Sequence, residues 1–276
     1  MENNYDKLVE LFNKYGKDGD GDWYQMFYAN DYPIPYKGLV LYPVQVDLYY
    51  VFHTFVECLL LPHLTSGDVN ALQMSYFEYL IYLSQEKNQG LYINYLYELL
   101  SIVFKKPILD KDGKPSIYIM KNENKHLLII GNVALDEKDF DKIRKIICEQ
   151  NALELPDEET HPDILKAIKE VEEYKRRQAK IKMCSFEDQI NIVVAKSSYR
   201  RDECIKMTIR SFTRLLERVD KIMHYNIMSL LSPNLTKEGQ KSIEHYMAAS
   251  KSREEQYKEA MTMQESLNSK ITKANG

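Results

Sequence analysis

Apolar positions Leu8, Val9, Leu11 and Phe12 recur at helical spacing and predict a short amphipathic helix over residues 3–15. The run KDGDGDW (17–23) breaks it. The segment FYANDYPIPYKGLVLYPV (27–44) reads as a loop with a brief extended run around Leu39–Tyr42. From Val44 the apolar density predicts a helix to Leu61, stopped by Pro62. Ser75–Gln85 and Gly90–Lys105 read as two more helices. Tyr, Leu and Ile occupy nearly every face of them, the pattern of burial among other helices or against a partner.

Residues 107–136 change character. DKDGKP is a turn cluster, and IYIM and HLLII are short β-type runs separated by KNENK, so a β-hairpin is expected near residues 107–130. Asp136 then caps a helix that runs to about Asn151, with Asp139 completing a capping box. The acidic, proline-marked stretch 153–163 reads as a linker between an aromatic-rich part, 1–152, and a helical part, 164–276. In the second part Ser185 opens SFED, a capping box before Ile190, Ile192, Val193 and Val194. Asp202 opens a short helix. Thr208 opens a long one, with Phe212, Leu215, Leu216, Val219, Ile222 and Met223 on one face. Pro233 breaks it. The tail, 236–272, carries a sparse stripe that suits a long, half-buried helix or one ordered by a partner.

The chain has 276 residues, 44% of them hydrophobic, 28% charged and 11% aromatic, which argues against wholesale disorder. Ten glycines and nine prolines are too few for a turn-dense all-β architecture, leaving a mainly α multi-helix protein with one small β-hairpin insertion. A net charge of −4 argues against nucleic acid as the default partner. Cys58, Cys148, Cys184 and Cys204 form no C-x-x-C and read as buried apolar residues of a reduced protein. The start, MENNYDKLVELF, has no basic region followed by an apolar one, and the most apolar stretch is too short and polar for a bilayer span. A cytosolic or cytosol-assembled protein is expected, with no membrane association.

Candidate chemistry is thin. KDGDGD sets Asp18, Asp20 and Asp22 at alternate positions like a calcium loop, but Trp23 and Ala29 stand where the loop needs glycine and a bidentate carboxylate. His161-Pro162-Asp163 spells the J-domain tripeptide, yet acidic residues and no basic helix precede it, so Asp163 reads as a helix cap. The six histidines show no metal-ligand spacing; His53 and Cys58 lie about 140° apart around one helix. There is no G-x-S-x-G, P-loop or G-x-G-x-x-G. The expectation is a non-enzyme with no catalytic residues, no cofactor and no metal.

Basic residues cluster at Lys175, Arg176, Arg177, Lys180 and Lys182, and again at Tyr199-Arg200-Arg201. Arg210, Arg214 and Arg218 recur every fourth residue and line one helix face. Such a stripe can hold an acidic protein partner or phosphates, or be a solvated face partnered by Glu203 and Glu217. Tyr49, Tyr50, Phe52, Tyr79 and Tyr82 offer a second candidate partner surface, or a tyrosine-rich core.

Two segments then carry a family likeness: YKGLVLYPVQVDLYYVFHTFVECLLL (36–61), followed by MSYFEYLIYL (74–83), and SFEDQINIVVAKSSYRRDECIKMTIRSFTRLLERVDKIMHYNI (185–227). A short strand with a proline, a helix, a polar hairpin and a helix–turn–helix resemble the tail-assembly proteins of tailed bacteriophages of Gram-positive hosts. The matching positions are Leu41, Pro43, Asp188, Met207, Ile209, Phe212, Leu215 and Arg218. The resemblance implies no catalytic set. It implies a chaperone or scaffold in the host cytoplasm that coats the tape-measure protein and hands it to tail-tube subunits; self-association is a separate expectation for this chain. The alternatives are a structural tail or baseplate component retained in the virion, and a nucleic-acid-binding accessory protein using the basic stripe.

Overall fold

The computed structural model describes residues 2–16, 22–63, 71–86, 90–122, 125–157, 184–241 and 243–248, with single positions within 165–174 and 255–262. Asp18 and Asp20, the tripeptide at 161–163, the basic run at 175–182 and the chain end from 263 lie outside them. The protein is mainly α-helical with small β insertions. It divides into two compact units. The first holds Met1–Pro156 and Tyr199–Leu215; the second holds Asp157–Ser198 and Leu216–Gly276.

The first unit begins with α1 (Glu2–Tyr15) and α2 (Asp22–Ala29). The second helix replaces what reads as loop in the sequence. Trp23, Met26 and Phe27 have helical spacing, Phe27 and Tyr28 are buried, and the helix ends where the Asn30 side chain donates to the Met26 carbonyl at 2.7 Å. Strands β1 (Ile34–Tyr36) and β2 (Leu39–Leu41) follow as a tight hairpin. Lys37 and Gly38 both have positive φ, 48° and 80°, the type I′ geometry whose twist matches that of the paired strands. The expected extended run is therefore a hairpin, a second β element.

The expected helix over 44–61 is broken. Only α3 (Tyr49–Val56) is α-helical, flanked by 3-10 turns at Val46–Leu48 and Glu57–Leu59. The reason is tertiary. The Val46 N–H donates to the Met207 carbonyl, 2.9 Å, so this turn is drawn into a bridge to a distant segment. At the other end the Cys58 carbonyl accepts from the Tyr76 hydroxyl (2.9 Å) and the Leu59 carbonyl from Arg144 Nε (2.8 Å). Helix-end carbonyls satisfied from outside need no further turn.

Helices α4 (Tyr76–Glu86) and α5 (Leu91–Phe104) form as the sequence predicts. The expected hairpin is a three-stranded antiparallel meander, β3 (Ile117–Asn122), β4 (Lys125–Ile130) and β5 (Val133–Leu135). Pairing persists to Asn122↔Lys125, tighter than the moderate loop expected from KNENK. The third strand folds back through Gly131-Asn132; Gly131 has φ 60° at the first central position, which only glycine takes without strain. Helix α6 (Glu137–Gln150) starts at the predicted capping box. The Asp136 carboxylate accepts from the Asp139 N–H, and Asp139 reciprocates. Its apolar face enters the core, where Phe140 stacks on Phe77 at 4.7 Å. Short helix α8 (Arg201–Lys206) and the start of α9 (Ile209–Leu231) complete the unit.

The second unit contains α7 (Phe186–Lys196), the remainder of α9 from Leu216, and α10 (Lys237–Lys241). Ser185 and Asp188 cap α7 reciprocally, as the sequence predicts. Phe186, Ile190, Val193 and Val219 are buried. Beyond α10, residues 243–248 are non-helical and form a turn. That turn is held to α9: Arg218 donates to the Tyr246 carbonyl at 2.6 Å, Lys221 to the Ala248 carbonyl at 3.2 Å, and Tyr225 packs edge-on against His245 and Tyr246.

Candidate partner-binding site

The aromatic candidates divide by depth. Phe52 is fully buried and Tyr79 is 5% exposed, its hydroxyl donating to the Pro62 carbonyl at 3.0 Å. Both are core, so neither can present a partner surface without unfolding; this corrects the expectation for these two positions. Tyr49 is half-buried, edge-on to Tyr50 and 4.2 Å from the His53 ring. Tyr50 is 65% exposed. Tyr82 lines a shallow polar hollow of about 360 Å³ with Glu78 and His126. There His126 Nδ1 lies 2.7 Å from Glu78 Oε2, an ion pair that pins β4 to α4 when the imidazole is protonated.

The basic stripe divides as well. Arg210 is half-buried in the first unit. It donates to the Glu149 carbonyl at 2.5 Å and lies 5.1 Å over the Tyr28 ring. Burial and the nearby Arg214 charge pull its pKa down. Arg214 is exposed. Arg218, in the second unit, is exposed yet spends a guanidinium N–H on the Tyr246 carbonyl. Glu203 is not the stripe's partner, because it accepts from the Arg200 backbone at 2.7 Å. Arg210 and Arg218 thus hold the protein's own backbone.

The start of α9 is anchored by chemistry absent from any short motif. The Asp31 carboxylate accepts from Thr208 Oγ1 (2.7 Å) and Ser211 Oγ (2.6 Å), and the Ile209 N–H donates to the Val44 carbonyl (2.8 Å). The Val44 N–H in turn donates to Asn151 Oδ1 at 2.9 Å. Of the positions that carry the family likeness, Leu41, Ile209 and Phe212 are buried, consistent with structural roles.

Cys58, Cys148 and Cys204 are buried free thiols and Cys184 is exposed. Burial pushes the Cys58 thiol far up and the Cys148 thiol up to about 12, which makes thiolate chemistry there unfavourable. Among the described residues no group of three or more His, Cys, Asp or Glu is placed to hold a metal ion. No helix among them is long and apolar enough to cross a membrane.

The feature that sequence reasoning missed is a groove within the second unit. Its walls are α7 from Asp188 to Lys196 and α9 from Leu216 to Met223, and its volume is about 720 Å³. Ile192, Ala195, Leu216, Val219 and Met223 make it apolar; Ile192 is 38% exposed. Among the described residues, Asp188, Glu217, Asp220 and Lys196 also line it. The signal was present in the sequence: α7 is apolar at Ile190, Ile192, Val193 and Val194, a wider arc than one buried face needs. Ile190 and Val193 fill the core, and Ile192 is left to the groove.

Residues 175–251 match the family model described as the YomV second domain, a phage-associated family, which points to a phage-related protein. The matched stretch includes α7, α8 and α9 and the described residues that line the groove. Comparisons with curated proteins and with solved structures found no match.

Proposed function

We propose that this chain is a non-enzymatic bacteriophage tail-assembly protein, a chaperone or scaffold for the tape-measure and tail-tube proteins. It works in the host cytoplasm during assembly. The observation that carries this reading is the apolar groove of the second unit, which lies inside the phage-associated match. The resemblance of 36–61, 74–83 and 185–227 to tail-assembly proteins supports it. A long apolar helix exposed in the cytosol aggregates, and a partner that covers its stripe prevents this. The engagement of Arg210 by Glu149 and Tyr28 favours a protein partner over nucleic acid.

Mass spectrometry of purified virions, beside a pull-down from infected cells, tests the proposal. Tape-measure or tail-tube protein captured from lysate, with this chain absent from finished particles, is the expected result. Stoichiometric presence in particles would make it a structural tail or baseplate subunit instead. Absence from both would refute the tail reading.

A further inference from the structure

We infer that helix α1 is a displaceable strap over an aromatic face of the first unit, and that the face it covers docks an amphipathic helix of a partner protein. That partner helix carries aromatic side chains seven positions apart with aliphatic ones between them. The inference deepens the tail-assembly reading and rests on it for the partner's biological identity.

The occupant's chemistry is read from the helix now seated there. α1 presents Tyr5, Leu8, Val9 and Phe12 to the core, the i, i+3, i+4 and i+7 positions by which one helix face fills a groove. Tyr5 meets Tyr32 edge-on at 5.5 Å, and Phe12 meets Phe27 at 5.4 Å, Tyr24 at 5.5 Å and Trp23 at 6.5 Å. The seat is thus built of Trp, Tyr and Phe rings, the side chains enriched where proteins recognise one another. The strap is shaped to this seat. A Cβ at Gly16 would lie 2.6 Å from Phe12 Cδ2, so only a bare residue there leaves the ring room in its present place.

The strap is also lightly held. Among the described side chains of α1 only Phe12 is buried; Tyr5, Leu8 and Val9 are half-buried, and Leu11 and Tyr15 are 37% and 58% exposed. Helix α6 has the same length, yet it buries Phe140, Ile143, Ile146 and Ile147 and is tied in through Asp139, Arg144 and Gln150. A helix as short as α1 is marginal in water by itself, so its place rests on one buried ring and its half-buried neighbours. Elements that bury so little apolar surface open locally well before a domain unfolds. Opening bares Trp23, Tyr24 and Tyr32 while α6 stays packed. A partner helix then competes with an intramolecular occupant, which excludes helices that match the seat poorly.

The test uses the full chain and a fluorescein-labelled peptide with the sequence of residues 2–16; the same peptide with Phe12→Ala is the control. In the native chain, amide exchange in α1 should run roughly a hundredfold faster than in α6. Phe12→Ala in the full chain frees the seat. The peptide should therefore bind that variant roughly tenfold more tightly than the native chain, read by anisotropy, and the control peptide should bind neither. Gly16→Ala crowds the same ring without altering the seat, and it takes the place of Phe12→Ala should circular dichroism show that variant unfolded. Exchange in α1 as slow as in α6 would overturn the proposal. So would equal affinity for native and variant chains, equal binding by the control peptide, or no binding to either variant. A native chain whose mass doubles with concentration, and which Phe12→Ala returns to monomer, would assign the seat to the strap of a second copy and likewise overturn it. Peptide binding together with a pull-down empty of tail proteins would leave the strap standing and refute the tail reading. A pull-down that captures tail proteins no better with Phe12→Ala than with the native chain would do the reverse.

Discussion

Replacing Asp139 by alanine should weaken the first unit by about 3 kcal/mol at neutral pH, counting a lost reciprocal cap, a lost charge-assisted bond and a largely exposed ion pair. Its side chain accepts from the Tyr36 hydroxyl at 2.8 Å, Lys37 Nζ at 2.7 Å and the Asp136 N–H at 3.2 Å. These bonds tie the β1–β2 hairpin to the start of α6. Lys37 is 54% exposed, so its share is the smallest of the three. Burial pushes the Asp139 carboxyl up, but the bonds from Lys37, Tyr36 and the Asp136 N–H outweigh it and hold the pKa below the ordinary value. A carboxyl with a depressed folded pKa contributes stability that is fully present above its unfolded pKa, about 3.9, and is lost as pH falls through the folded value. The gap between the native chain and Asp139→Ala should therefore be widest near neutrality and close below about pH 4. Trp23 is the chain's one tryptophan and lies in the first unit against Phe12, so its fluorescence in urea follows that unit alone. The midpoint should fall by about 1 M or more at pH 7. A loss under about 0.5 kcal/mol, or a gap that stays constant down to pH 3, would refute the assignment, since surface changes are of that size.

Asp31→Ala should cost about 2–3 kcal/mol, because two hydroxyls lose a charged acceptor and alanine must adopt the φ of 54° found there. Asp31→Gly should recover about 1 kcal/mol of it in the same urea titration, and equal losses would show that the backbone carries no strain. Arg144→Lys should cost about 2 kcal/mol, because lysine lacks both the Nε donor to the Leu59 carbonyl and the planar group held 3.3 Å over Tyr76. An unchanged urea midpoint would show the contact to be incidental. Ser185→Ala should cost about 1 kcal/mol in the second unit and speed amide exchange in the first turn of α7 roughly fivefold, leaving the Trp23 transition unmoved.

Local chemistry was legible from the sequence alone. The boxes at Asp136/Asp139 and Ser185/Asp188, the ends of α5 and α9 and the mainly helical character each depend on residues within about four positions of one another, a range a sequence displays directly. The third strand of the meander was legible too, in Gly131-Asn132, although a hairpin was the simpler reading. The sequence also determined that Tyr49, Tyr50 and Phe52 share one apolar helix.

Only the tertiary structure decided which of these residues face water. Tyr50 and Phe52 lie about 200° apart around one helix, and neighbours far along the chain decide that the Phe52 face is fully buried and the Tyr50 face exposed. The same holds for the 3-10 turn at Glu57–Leu59, which stops where Tyr76 and Arg144 supply the partners for its carbonyls. Arg210 and Arg218 show it again, as evenly spaced cations that reach two separate backbone carbonyls. The groove is the clearest case. Helical periodicity assigns Ile192 and Met223 each to an apolar stripe, but stripes some thirty residues apart become the walls of one groove only when folding sets their helices side by side.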